Sequence, residues 1–259
     1  MYATNYLEAA ALNIMRGAAF TAPSTVYVGL YINNPGETGK EGVELSYTGY
    51  ERMPITYTEP AEESGGIGVK NDSQITFATS EVDAGMASYI GISDSKVGGN
   101  MLIYGKLTDD LEIRAGEAPV LLQGEIVHYL TGNLSRAYKV KLLNILRKQN
   151  ITGFTPYLAL FNGDPESGGA ELSGDNYARV ALAFTAPAES AGGQMTVSNS
   201  TAATFNRPTS AWGNWTFSAI YDAAANGLPV WTIAKDPAKE IKKGYMPTIA
   251  EGDIKVGIN

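Results

Sequence analysis

The sequence predicts a mainly β protein with two tandem antiparallel β-sandwich or jelly-roll-like domains, each preceded by one N-terminal α-helix. Two observations support this fold class. Nearly the same amino-acid sequence occurs twice, about 127 residues apart. Within each copy, short runs rich in β-branched and aromatic residues are separated by Gly, Pro, Asn and Asp, with no second long helical pattern between them. Strands that do not alternate with helices favour an antiparallel sandwich over a parallel sheet.

The duplication is clearest in one pair of segments. GYERMPITYTEPAEESGG begins at Gly49 and NYARVALAFTAPAESAGG begins at Asn176, and the two agree at 8 of 18 positions, where average composition gives about one. Other matching pairs, such as LNIMR with LNILR, keep the same order and spacing. A repeat of this length is a domain rather than a solenoid unit. We therefore expect domains at residues 1–132 and 133–259. Each should have its own hydrophobic core, and a short segment should join the two.

Each copy is predicted to open with a helix. Asn5 is the candidate N-cap of the first helix, Glu8 occupies the position of a capping-box acid, and Gly17 is a stop signal. Ser135 is the candidate N-cap of the second helix. Apolar residues recur at helical spacing after both caps, so each helix has one face for a core.

The strands are predicted to follow the helix. TVYVGLYI, which begins at Thr25, is apolar on both faces. This pattern indicates a strand inside a sheet or between a sheet and a helix. The later candidate strands of the first copy are PITYT, QITFAT, ASYIGIS, NMLIYGKL and APVLLQGEIVHYL.

Composition excludes several classes of function. The formal net charge of -8 and the pI near 4.8 disfavour nucleic acid as a partner, because phosphate binding needs excess Lys and Arg. There is no Cys, hence no thiolate nucleophile, Cys-ligated metal or disulfide framework. The N-terminus lacks the pattern of a signal peptide, and no apolar run is long enough for a membrane span. We expect a soluble protein, made in the cytoplasm, with no membrane partner.

No residue set in the sequence indicates catalysis. A Ser-His-Asp site needs an imidazole, but His128 is the single His and the second copy has Val256 at its position. A pair of carboxylates could hydrolyse a glycosidic bond. The acidic residues that recur in both copies lie mostly beside turns, where solvated carboxylates and caps are the simpler interpretation: Glu44/Glu171, Glu62/Glu189, Asp94/Asp222, Glu112/Glu240 and Glu125/Asp253. We expect no catalytic residue and no cofactor.

Two acidic loops are rich in oxygen ligands. They contain Glu37, Glu41, Asp164, Glu166, Glu171 and Asp175, and such loops can hold calcium. They lack the regular alternation of an EF-hand loop. We therefore assign no metal site.

The tryptophans distinguish the two copies. Trp212, Trp215 and Trp231 occur only in the second copy, where the first has Ala84, Ala87 and Ile103. Either the second core holds larger side chains, or some of these indoles are exposed for a protein or sugar partner. Trp212 and Trp215, in the turn-like SAWGNWTF, are the candidate partner-binding residues.

The order of these motifs resembles a known family. LNIMRGAAFTAPSTVYVGLY, a Pro/Gly/Glu loop, GYERMPITY, SYIGISD and MLIYGKL resemble the small tail-fibre-like virion proteins of tailed bacteriophages. The second copy is similar but lacks the RGxxFTxP join. The resemblance implies a virion structural protein, in a tail, fibre or capsid surface, that packs against itself and other virion proteins as a homo-oligomer. A receptor- or carbohydrate-binding module with a host-surface glycan as partner is the alternative, and a polysaccharide hydrolase is a third.

Overall fold

The computed structural model describes residues 1–63 and 66–258, and they form antiparallel sheets with two helices. The first copy consists of β1 (Tyr2–Ala3), α1 (Asn5–Ile14), β2 (Val26–Tyr31), β3 (Met53–Ile55), β4 (Ala61–Glu63), β5 (Gly66–Lys70), β6 (Ile75–Thr76), β7 (Gly85–Ser93), β8 (Met101–Ile113), β9 (Val120–Leu121) and β10 (Val127–Leu130). The second copy consists of α2 (Arg136–Leu143), β11 (Tyr157–Asn162), a 3-10 turn (Pro165–Ser167), β12 (Ala170–Glu171), β13 (Val180–Ala181), β14 (Ala188–Glu189), β15 (Met195–Ser198), β16 (Ala203–Thr204), β17 (Gly213–Tyr221), β18 (Pro229–Ile241), β19 (Thr248–Ile249) and β20 (Lys255–Gly257).

The two copies repeat one topology. In the first copy the larger sheet has the strand order β1-β8-β7-β2-β3, a smaller sheet has the order β10-β5-β4, and β6 pairs with β9. In the second copy β18, β17, β11 and β13 correspond to β8, β7, β2 and β3, the smaller sheet is β14-β15-β20, and β16 pairs with β19. Even the bulge recurs, between Ala87 and Tyr89 in the first copy and between Trp215 and Phe217 in the second. The predicted mainly β, tandemly duplicated fold is confirmed.

One of the two helix starts is as predicted. Ser135 caps α2, since its hydroxyl oxygen accepts a hydrogen bond from the Tyr138 backbone N–H at 3.1 Å. The assignment of Asn5 as the cap of α1 is wrong by one residue, because the N-cap is Thr4. The Thr4 hydroxyl donates to the backbone oxygen of Met101 at 2.6 Å and so ties the helix start to β8. Glu8 closes no capping box, because its carboxylate accepts from the Met195 backbone N–H of the other copy.

The strand β2 is buried on both faces, as its sequence predicts. Val26, Val28 and Leu30 have no exposed surface, and Tyr31 on the opposite face is 4% exposed. β7 and β3 flank the strand and take up its backbone hydrogen bonds on both sides. The apolar pattern therefore comes from a central strand in a sheet covered on two sides.

The helices lie between the two copies, and this corrects the expectation of two separate cores. α1 packs on β8 of its own copy and on β15 and β20 of the second copy, while α2 packs on β18 of its own copy and on β5 and β10 of the first. One cluster of buried apolar residues consequently runs through both copies. A single helix covers two sheets that the linear sequence assigns to different domains, which sequence periodicity cannot reveal.

Polar contacts reinforce this junction. The Arg16 Nε–H donates to the Phe184 backbone oxygen at 3.3 Å, and Arg147, its counterpart in the second copy, pairs with Glu59 of the first. Phe20 and Ile151 exchange two backbone hydrogen bonds of 2.8 and 2.9 Å. Within the described residues, neither helix is long and apolar enough to cross a bilayer.

Candidate functional site

Trp212 and Trp215 lie in the core of the second copy, with exposed fractions of 5% and 3%. The Trp212 indole N–H donates to the Asp175 backbone oxygen at 3.0 Å, and its ring meets Tyr177 edge-on with centroids 5.1 Å apart. The Trp215 indole N–H donates to the Ser218 hydroxyl oxygen at 3.1 Å. The prediction that these indoles are exposed for a partner is therefore corrected. They enlarge the second core at the positions of Ala84 and Ala87, which was the alternative interpretation.

A cluster that sequence reasoning did not assign occurs in both copies. In the first copy, the Arg52 guanidinium binds both carboxylate oxygens of Glu44, at 2.9 and 2.8 Å. Its Nη1 also donates to the backbone oxygens of Ser95 and Gly98, at 3.1 and 2.8 Å. The Tyr50 hydroxyl donates to Glu44 and accepts from the Leu30 backbone N–H. Burial and the adjacent Glu44 charge raise the pKa of Tyr50 far above its ordinary value.

The second copy rebuilds the cluster from the matching residues. Arg179 binds Glu171 through two oxygens, at 3.0 and 2.7 Å, and donates to the Ala223 and Asn226 backbone oxygens at 3.1 and 2.7 Å. Tyr177 repeats the role of Tyr50. The signal for the cluster was present in the sequence as a Glu-x5-Tyr-x-Arg pattern in both copies. Its carboxylate and guanidinium bind each other and the turn between the two long strands, so the arrangement serves to fix that turn.

A buried asparagine is also used twice. The Asn71 side-chain oxygen accepts from the Ile126 backbone N–H at 2.9 Å, and its Nδ2 donates to the Ser73 and Leu122 oxygens. Asn199 makes the equivalent bonds to the backbone of Ile254, Thr201 and Ala250. Each amide thus pins the segment before the last strand of its copy. Both groups of repeated polar residues are occupied by internal hydrogen bonds.

His128 and Glu8 line a cavity of about 20 Å³ where the two copies meet. His128 is 2% exposed, and its Nδ1 lies 3.3 Å from the Met1 backbone oxygen. Burial, together with the charge of the N-terminal amine, lowers the pKa of His128 to about 4. Burial raises the pKa of Glu8 to about 7, although the Met195 N–H opposes the shift. The walls of the cavity are otherwise apolar, as expected for an interior packing space.

The acidic residues of the two loops are dispersed. The Glu37 carboxylate accepts from the Tyr104 hydroxyl at 2.6 Å, the Asp164 carboxylate from the Glu166 backbone N–H, and the Glu166 carboxylate from the Arg136 backbone N–H. Among residues 1–63 and 66–258, no three His, Asp or Glu side chains approach closely enough to hold a metal ion.

An open depression lies on the second copy. This groove has a volume of about 680 Å³ and lies between β18 and the segment around β19. Trp215 and Trp231 form part of its floor, and the exposed Tyr245 stands at its edge. Three lysines line it: Lys235, Lys239 and Lys255. The Lys235 ammonium lies 5.2 Å from the centroid of the Trp215 ring, and the Lys239 ammonium 4.8 Å from that of Tyr245.

The comparisons agree with the repeated architecture. The family model described as Podophage GP4 fiber I protein gp80 matches the chain twice, over residues 2–128 and 133–257. A search of curated proteins gives no match. The two matched stretches cover nearly the whole chain, so the chain belongs to this family. It is a phage structural protein of the virion, made of two copies of the family domain.

Proposed function

We propose that this phage fibre-family protein catalyses no reaction and acts by packing against neighbouring virion subunits, including copies of itself, in a tail fibre or at the capsid surface. In this proposal residues 1–132 and 133–259 are the two copies, made in the host cytoplasm and incorporated into the particle. Two related copies in one chain offer neighbours two similar but distinct surfaces.

The observation that carries the proposal is the use of the repeated polar residues. The Glu44–Arg52 and Glu171–Arg179 pairs and the two buried asparagines bond within the fold. A catalytic acid, base or nucleophile must instead present its reacting atom to a substrate. Residues that both copies share thus stabilise the domain, and the function belongs to the outer surfaces.

Incorporation into particles tests this proposal. Phage particles assembled without the protein are incubated with the purified chain, and bound protein is measured after sedimentation and located by cryo-electron microscopy. We expect stoichiometric binding at defined positions. A chain that never binds such particles, or one that turns over a polysaccharide substrate, contradicts the proposal. Lys96→Ala is a suitable control variant, because Lys96 forms an exposed ion pair with Glu51.

The groove on the second copy favours one alternative function, the binding of a host-surface glycan. It combines aromatic edges with lysines, and aromatic rings can stack on sugar faces. Trp212 and Trp215 are unsuitable for testing this idea, since replacing buried residues would perturb the fold. Tyr245→Ala is suitable because Tyr245 is 37% exposed. Loss of host adsorption with unchanged particle assembly would favour the glycan function.

A further inference from the structure

The two copies carry opposite charge on outer surfaces that the duplication makes equivalent. Residues 1–132 contain 7 Lys and Arg against 17 Asp and Glu, whereas residues 133–259 contain 12 against 10. The first copy is therefore strongly acidic and the second slightly basic. A charge difference of this kind between halves of one chain indicates a surface that takes part in binding, because folding of the shared core does not require the difference.

The difference is concentrated at one place in the fold. Pairing Ala87 with Leu111 in the first copy and Trp215 with Lys239 in the second puts the two long strands in equivalent register. In that register the groove lysines of the second copy occupy positions that are apolar in the first copy. Lys235 corresponds to Leu107, Lys239 to Leu111 and Lys255 to Val127. Leu107 is buried and Leu111 packs against the core. At two of the three positions where the groove of the second copy has a lysine, the first copy thus has a packed leucine.

Around these leucines the first copy bears an exposed acidic ridge. We define the ridge as Glu81, Val82, Asp83, Met86, Asp109, Asp110, Glu112 and Glu117, all exposed. The Ala115 backbone N–H donates to Asp83, which holds the turn against the end of β8. Val82 and Met86, 56% and 46% exposed, give the ridge an apolar crest. Ser210 and Asn214 replace them in the second copy, so this crest belongs to the first copy alone.

The groove has the complementary character. Its lysines are joined by Lys242 and Lys243, which follow β18, and Ile233, Tyr245 and Met246 add exposed apolar surface. Asp236 and Asp253 also line the groove and Glu240 lies beside it, which leaves a basic excess. Arg114 lies beside the ridge acids and pairs with Glu112. An apolar crest flanked by acids thus matches an apolar-edged groove flanked by lysines.

We propose that the groove of one molecule receives the acidic ridge of a second copy of this chain, giving a head-to-tail contact. This inference rests on the proposed function, since it names the surface through which copies assemble. Because ridge and groove are different surfaces, the contact is heterologous, and repetition produces a ring or a filament according to the rotation between molecules. Opposite charges also steer the encounter and disfavour ridge-to-ridge contact.

Charge reversal on each surface tests the proposal. The groove variant is Lys239→Glu with Lys243→Glu, and the ridge variant is Asp109→Lys with Asp110→Lys. All four side chains are exposed, so the fold is kept. Self-association of the full chain is measured by analytical ultracentrifugation over a range of salt concentrations. Each variant alone is expected to associate about 100-fold or more weakly, and the combined variant to recover to within about tenfold of the original chain.

The controls separate this contact from the proposed function. Lys40→Glu with Lys96→Glu reverses the same number of exposed lysines elsewhere and should leave association unchanged. A chain that stays monomeric at high concentration and low salt overturns the inference, as does association that both variants leave intact. Retention on an alginate column is measured as well. If the groove variant still self-associates but is no longer retained on alginate, the groove binds an acidic saccharide and not a second copy of the chain. Incorporation into phage particles is measured separately, so the ridge-to-groove contact and the proposed virion function can each be contradicted without the other.

Discussion

Replacing Glu8 with Gln is expected to stabilise the folded chain at neutral and alkaline pH. Glu8 is 3% exposed at the junction of the copies, and burial raises the pKa of its carboxyl from 4.5 to about 7. A pKa raised by folding contributes stability that is complete below pH 4.5 and is lost as the pH rises through about 7. The difference between these pKa values corresponds to about 3 kcal/mol of unfolding free energy.

Gln removes the charge and keeps the acceptor. Its side-chain oxygen can accept the same 2.7 Å bond from the Met195 backbone N–H. The free energy of unfolding, measured by urea denaturation, should therefore match that of the original chain at pH 4 and exceed it by up to about 3 kcal/mol at pH 8. Glu112→Gln, at an exposed site, should change little at either pH. A Gln variant that is less stable at pH 8 would refute the reasoning.

Three further substitutions test other parts of the fold by the same measurement. His128, with its pKa lowered to about 4, contributes stability that is complete above pH 6.5 and is lost as the pH falls through about 4. His128→Val, which introduces the residue found at Val256, should therefore reduce the loss of unfolding free energy between pH 6.5 and pH 4. An unchanged loss over this pH range would contradict the role assigned to His128. Arg52→Ala should lower the free energy of unfolding by about 3 kcal/mol because it leaves Glu44 unpaired in a half-buried site. Arg114→Ala, at an exposed site, should lower it by under about 0.5 kcal/mol. Equal losses in the two variants would contradict a stabilising role for the Glu44–Arg52 cluster. Trp212→Ala should cost about 3–5 kcal/mol, and a negligible loss would contradict its place in the core.

The sequence predicted the fold wherever local chemistry decides it. The Ser135 cap and the buried strand β2 follow from a side-chain acceptor and from apolar residues on both faces. The Asn5 cap failed because Thr4, one residue earlier, is tied to Met101 on a distant strand. That tie is a tertiary contact, which capping preference at the helix end cannot anticipate.

The candidate site was harder to predict for a related physical reason. Trp212 and Trp215 flank Gly213 in a turn-like sequence, yet the chain there is the start of a long strand whose side chains enter the core. Both indoles are buried at positions where the first copy has the small residues Ala84 and Ala87. The interpretation of Glu44 and Glu171 as solvated carboxylates or caps was wrong, because each binds an arginine. The signal for these pairs was a spacing that is kept in both copies.

The placement of the helices explains where the copies could diverge. Because α1 covers β15 and β20 of the second copy and α2 covers β5 and β10 of the first, neither copy can bury its helix and its smaller sheet alone. Changes at this junction must therefore suit both copies at once, and the shared core limits them. Exposed outer positions such as Asp109 and Lys243 carry no such constraint. Opposite charge could thus accumulate on equivalent outer surfaces, through which we propose that neighbouring molecules contact one another.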